Sequence, residues 1–178
     1  MPVDITNYIA QLSGELEDKA FEASDALGRI GSPEVVLAMI DLLKHPNSES
    51  RFMAARTLGL VKNNAEALEP MLEAISAKEN SNQTGDLLSV LEGFDISSKY
   101  VDVFKFYLFG SFKTSLVAKE LLDYKEFDIT PRVLKKATKH WNHYSNNVKQ
   151  DNAFILKKRE VEEMLSDLSI YLNNLSSG

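Results

Sequence analysis

Cysteine is absent from the 178 residues. Disulfides, thiol nucleophiles and cysteine-built zinc sites are therefore excluded. Proline and glycine are scarce, 5 and 8 residues, which sets turn-rich β folds and disordered chains behind a helical one. No apolar run reaches the roughly 18 residues of a membrane-spanning helix. Met1-Pro2-Val3-Asp4-Ile5 carries no basic segment followed by an apolar stretch, so no secretory signal is read there and a cytoplasmic location is expected. Positive charge is also short. Twenty Lys and Arg stand against 26 Asp and Glu, a net charge of −6. Affinity for a phosphate backbone comes mainly from cationic side chains, so nucleic acid is a disfavoured partner. Phosphate-cradling loops are missing too: neither Gly-x-x-x-x-Gly-Lys-[Ser/Thr] nor Gly-x-Gly-x-x-Gly occurs.

What the chain does have is a repeat. Ala26-Leu27-Gly28-Arg29-Ile30-Gly31 is followed 31 positions later by Thr57-Leu58-Gly59-Leu60-Val61-Lys62. At the same offset Phe21 matches Phe52, Ala23 matches Ala54, and Ile9 and Leu12 match Ile40 and Leu43. Val90-Leu91-Glu92-Gly93-Phe94 is a looser third copy at an offset of 33. Ala118-Lys119-Glu120-Leu121-Leu122, after 31 more, is a degenerate fourth. Within each unit the period is helical: Val36, Met39, Ile40 and Leu43 fall at i, i+3, i+4 and i+7, as do Leu68, Met71, Leu72 and Ile75. Ser32-Pro33-Glu34 reads as a cap before a first-turn proline, and Gly31 as a left-handed helix stop. The pattern predicts ten helices, over 4–13, 17–30, 33–44, 48–61, 64–77, 82–93, 98–109, 113–123, 130–144 and 152–174. Short turns make sequential helices antiparallel neighbours.

At Ala23 to Leu43, with Ala-Leu-Gly-x-Ile-Gly, Ser-Pro-Glu and a run ending Leu42-Leu43-Lys44, the chain resembles the HEAT-repeat superfamily. Ser48 to Leu60 continues the likeness, with Arg51 where such repeats often carry an arginine. More narrowly, it is similar to short bacterial repeats related to phycobilisome-lyase HEAT-like proteins. The match is clear over roughly residues 20–75. It implies an all-α, right-handed α-α superhelical solenoid of about four to five helix pairs. The array is expected over 1–145, closed by a C-terminal helix over 151–176. That helix opens at Asp151-Asn152, and Val161, Met164, Leu165, Leu168, Leu172 and Leu175 form its apolar stripe. A terminal element that covers the last repeat is what a solenoid requires.

In stacked helix pairs the second helices line the concave face. Aligning them places Glu22, Met53, Asp86 and Val117 at one equivalent position, Asp25, Arg56, Ser89 and Glu120 at the next, and Arg29 and Leu60 beyond, facing away from a core set of Phe21, Ala23 and Leu27. This mixed ridge is the expected protein- or peptide-binding surface of a non-catalytic scaffold. A rival site is the one basic stripe in the chain, Arg132, Lys135, Lys136 and Lys139, at i, i+3, i+4 and i+7, with His140 and Trp141 beside it. It would meet an anionic partner or nucleic acid. The phycobilisome-lyase resemblance implies a third possibility, an accessory subunit of a bilin-lyase-like enzyme. His140 and His143 share a helix face, but the remaining histidine, His45, is remote, and no His-Glu pair occurs. Neither a metal nor a cofactor is expected, and no catalytic constellation is found. The run Phe104 to Phe112 is apolar nearly all round and reads as a buried helix.

Overall fold

The computed structural model describes residues 4–178, and among them every regular element is helical. Among the described residues ten α-helices are present, matching the predicted elements one for one. They gather into two compact units, one up to Asp95 and one from Ile96 to Gly178.

The first unit holds α1 (Ile5–Ser13), α2 (Ala20–Ile30), α3 (Pro33–Leu42), α4 (Ser48–Leu60), α5 (Leu68–Ser76) and α6 (Thr84–Ser89). Local chemistry sets the boundaries. The Ser32 hydroxyl accepts from the Val35 amide at 3.3 Å, and Pro33 fills the first helical position, where a missing N–H costs nothing. Asn47 accepts from the amides of Glu49 and Ser50. Gly31 ends α2 with φ 53°, a conformation that a Cβ disfavours. Leu12, Leu27, Met39, Leu58, Met71 and Leu87 are fully buried, each contributing on the order of 2 kcal/mol through removal from water.

The repeated glycine has a packing reason. A Cβ on Gly28 would stand 2.6 Å from the Cβ of Leu60, and one on Gly59 would stand 2.7 Å from Cγ1 of Val90. A Cβ on Gly93 would overlap the carbonyl of Gly59. Each glycine therefore lets one second helix approach the next. The third copy departs from the predicted 82–93 helix: α6 stops at Ser89 and the chain tightens into a 3-10 turn over Val90–Gly93, the turn that brings Gly93 against Gly59.

Buried polar groups tie successive loops. Arg51, only 6% exposed, donates from Nε to Oδ1 of Asn80 at 2.7 Å and from its terminal nitrogens to the carbonyls of His45, Pro46 and Glu79. Asn80 in turn donates to the Ala74 carbonyl, and Asn64 donates to those of Leu58 and Gly93. The arginine implied by the HEAT resemblance is thus a loop clamp.

The second unit holds α7 (Tyr100–Phe109), α8 (Phe112–Tyr124), α9 (Pro131–Asn147) and α10 (Asn152–Ser176). Phe104, Val103, Ala118, Ala137 and Val161 are fully buried. Trp141 on α9 stacks on Phe154 of α10, centroids 5.9 Å apart and planes at 9°. Asp151 caps α10 through the Phe154 amide at 3.0 Å. The α10 stripe is buried at Val161, half-buried at Met164, Leu165, Leu168 and Leu172, and 59% exposed at Leu175. The aromatic run is less buried than expected. Phe104 and Tyr107 are core, Phe106 is half-buried, and Phe109 and Phe112 are exposed, because α7 ends at Phe109 and Gly110-Ser111 turns the chain outward.

Candidate functional site

The start of each second helix converges on one region of the first unit. Phe21, Asp25 and Gly28 lie at i, i+4 and i+7 on α2, and Phe52, Arg56 and Gly59 repeat that spacing on α4. Gly28 brings α2 against Leu60 of α4. Asp25 Oδ1 meets Arg56 at 2.8 Å, and the guanidinium also donates to the Ser24 hydroxyl at 2.8 Å. Its carbon stands 5.1 Å over the Phe21 ring. Ser24 and Thr57 hydroxyls are 2.9 Å apart and buried, and Thr57 donates to the Met53 carbonyl at 2.8 Å. Since the Thr57 proton is already committed, Ser24 donates to Thr57. The chain of donation runs from Arg56 through Ser24 and Thr57 to the α4 backbone.

Beside this network opens a cavity of about 690 Å³ at the N-terminal ends of α2, α4 and α6. Phe21, Phe52 and Met53 form its floor. Glu17 and Asp18, in the loop before α2, join Glu49 and Asp86 at its rim. Helix α2 starts at Ala20 and not at 17, which leaves these two carboxylates on the loop.

The expected ridge residues fall out as follows. Asp25 and Arg56 are brought together as an ion pair. Glu22 and Arg29 are exposed, and Leu60 is half-exposed with its side chain against Gly28. Met53 is 3% exposed and acts as cavity floor, because it faces inward with Ala54 and Thr57. Asp86 is half-buried at the cavity, and exposed Ser89 donates to the Asp86 carbonyl at 2.6 Å. On α8 in the second unit, Val117 is half-buried and Glu120 exposed. Phe21 corrects the core set: Ala23 and Leu27 are fully buried, but Phe21 is 55% exposed. Exposed Phe21 and half-buried Phe52 were thus missed as cavity-lining residues. The available signal was their shared spacing with Asp25 and Arg56, which puts each on the face of the repeat glycine.

In the second unit, Arg132, Lys135, Lys136 and Lys139 are all exposed on α9. His140 is half-buried, and its pKa is lowered, chiefly by burial and then by Lys105, Lys139 and His143. Trp141 is 8% exposed and belongs to the α9–α10 core, so it offers the stripe no stacking face. His143 is exposed near Phe109, with ring centroids 6.3 Å apart. Among the described residues no group of three or more His, Asp or Glu is placed to hold a metal ion. Lys157 of α10 donates to the Tyr107 carbonyl at 2.8 Å and to the Ser115 hydroxyl at 3.2 Å, with Nζ 4.7 Å over the Tyr107 ring. Burial lowers its pKa and Glu160 opposes that. The Tyr107 hydroxyl donates to Glu160, and burial together with that carboxylate pushes its pKa far up. These contacts fasten α10 to α7 and α8.

Helix pairs repeated at offsets of 31 and 33 residues, with a glycine at each second-helix contact of the first unit, define an α-helical repeat protein. Residues 7–91 match the family model described as HEAT repeats. Comparison with curated proteins gives no match. The likeness shown is to the HEAT superfamily and not to the narrower phycobilisome-lyase group. No helix of the described residues is long and apolar enough to cross a membrane.

Proposed function

We propose that the chain is a non-catalytic interaction scaffold that binds a protein or peptide on the ridge of second helices α2, α4 and α6. HEAT repeats in general mediate protein interactions. The observation that carries the reading here is the joint between α2 and α4. Glu22, Arg29 and Leu60 stay exposed around a fixed Asp25–Arg56 pair, next to an open cavity with an aromatic floor. Such a surface is held rigid by buried hydroxyls beneath it, so little conformational entropy is lost on binding. A single reversed pair tests it. Asp25→Lys with Arg56→Glu keeps opposite charges face to face but inverts the surface. Cross-linking mass spectrometry of the tagged chain in its own cell lysate is expected to map the partner to α2 and α4. The reversed chain should lose that partner while melting within a few degrees of the parent. A partner retained by the reversed chain, or cross-linked only to other faces, overturns the assignment.

A second reading rests on the exposed stripe Arg132, Lys135, Lys136 and Lys139, which suits an anionic partner. Against the chain's net charge of −6, an acidic protein segment fits that stripe better than a nucleic acid backbone.

A further inference from the structure

The cavity at the helix starts has a chemistry of its own. Its floor is apolar and aromatic, and no lysine or arginine lines it. Glu17, Asp18 and Glu49 alone bring three negative charges to its rim. Carboxylates at helix N-termini have an ordinary role, since each helix start presents roughly +0.5 of a charge. Three helix starts amount to about +1.5, half of what these three acids carry, so a negative field remains over an apolar floor. Arg56 does not offset it, because its guanidinium is held by Asp25, Ser24 and the Phe21 ring.

The spacing selects an extended occupant. Helices in contact lie about 8–10 Å apart, and Phe21 and Phe52 occupy equivalent places on α2 and α4. An extended chain in the polyproline II conformation advances about 3.1 Å per residue with three residues per turn, so anchors three positions apart share one face, stand about 9 Å apart and reach both rings. A volume of about 690 Å³ lies within the about 300–1,000 Å³ of clefts that take small ligands. It admits a few residues of chain and excludes a folded domain.

We propose that this cavity binds an extended basic peptide whose two apolar or aromatic anchors stand three residues apart with Lys or Arg between and beside them. The inference rests on the scaffold reading and names its partner class. The anchors seat over Phe21 and Phe52, and the cations face Glu17, Asp18 and Glu49.

Fluorescence anisotropy on the full chain tests it with a labelled hexapeptide, Lys-Phe-Lys-Lys-Phe-Lys. Saturable binding is expected. It should weaken about tenfold or more when both Phe are replaced by Ala, the loss that follows from one to two unburied aromatic side chains. It should also fall steeply with added salt, which screens the exposed rim. The Glu17→Lys/Glu49→Lys chain should lose binding while keeping its helical circular dichroism and melting within a few degrees of the parent, the small drop reflecting the lost carboxylate at the α4 start. Phe52→Ala gives the apolar half of the test, provided its melting curve stays cooperative, and the charge variant stands alone if it does not. Equal binding of Glu-Phe-Glu-Glu-Phe-Glu, or full binding by the charge-reversed rim, overturns the proposal. So does the absence of binding by the basic peptide. A lysate partner still cross-linked to α2 and α4 in that case leaves the scaffold reading standing, whereas loss of both removes the two together. Labelled peptide displaced only as the chain self-associates in sedimentation would assign the cavity to a second copy and overturn the peptide.

Discussion

Asp25 and Arg56 stand one repeat apart in sequence and meet at 2.8 Å across the α2–α4 joint. The pair is partly exposed, so its own Coulomb energy is small. Its value lies in where it holds the guanidinium: over the Phe21 ring and on the Ser24 hydroxyl, at the edge of the cavity. The same contact fixes the ridge, closes a buried hydroxyl chain and keeps a cation out of the acidic rim.

That hydroxyl chain makes a graded prediction. Asp25→Ala should cost under about 1 kcal/mol, as partly exposed pairs do. Thr57→Val should cost more, about 1–3 kcal/mol, because it leaves the buried Ser24 hydroxyl without its acceptor while the volume is conserved. Chemical denaturation of the two variants checks the order. A Thr57→Val chain as stable as the parent would mean that the chain of donation carries no stability.

The repeat glycines should be intolerant of alanine in a definite order. Helix propensity favours Ala over Gly by about 1 kcal/mol, so any loss reports the packing. Gly93→Ala strikes the Gly59 backbone, which cannot step aside, and is expected to be the most damaging. Gly59→Ala meets Cγ1 of Val90 at 2.7 Å and its carbonyl at 3.2 Å, for an overpacking cost of about 1–3 kcal/mol. Adding Val90→Ala should recover part of that loss, since it removes the nearer atom. Thermal melts decide it, with about 2–4 °C per kcal/mol for a chain of this size.

Alkaline pH should loosen the second unit. Burial, and then Asp123 and Asp167, raise the Tyr100 pKa from 10.0 to about 12. A raised folded pKa means that the native state holds the proton more tightly than the unfolded chain. The stability from that difference is complete below pH 10 and is lost as pH climbs toward 12. It amounts to on the order of 2 kcal/mol. Tyr100 packs edge-on against Phe127 at 5.2 Å, and Tyr100→Phe keeps that contact. The variant should therefore show a shallower fall in melting temperature between pH 10 and 12. An unchanged slope would place the effect on other tyrosines.

The helical class, the ten elements and the repeat itself followed from sequence, because periodicity, the proline at Pro33 and the cap residues at Ser32 and Asp151 act within one turn of where they stand. The HEAT resemblance fell on the stretch where local rules are kept best, and the family match over residues 7–91 includes it. Which residues face out was only partly legible. Asp25 and Arg56 were placed on the ridge, but Phe21 was read as core and Met53 as surface. A helical period gives a face and not what covers it. Phe21 is left open because α2 and α4 approach through glycine at their far ends while three helix starts leave a gap. Sequence alone thus determined a repeated frame. Tertiary packing decided the ion pair, the direction of the hydroxyl chain and the acid-rimmed cavity, since each needs atoms one or two repeats apart, whose distance no local pattern encodes.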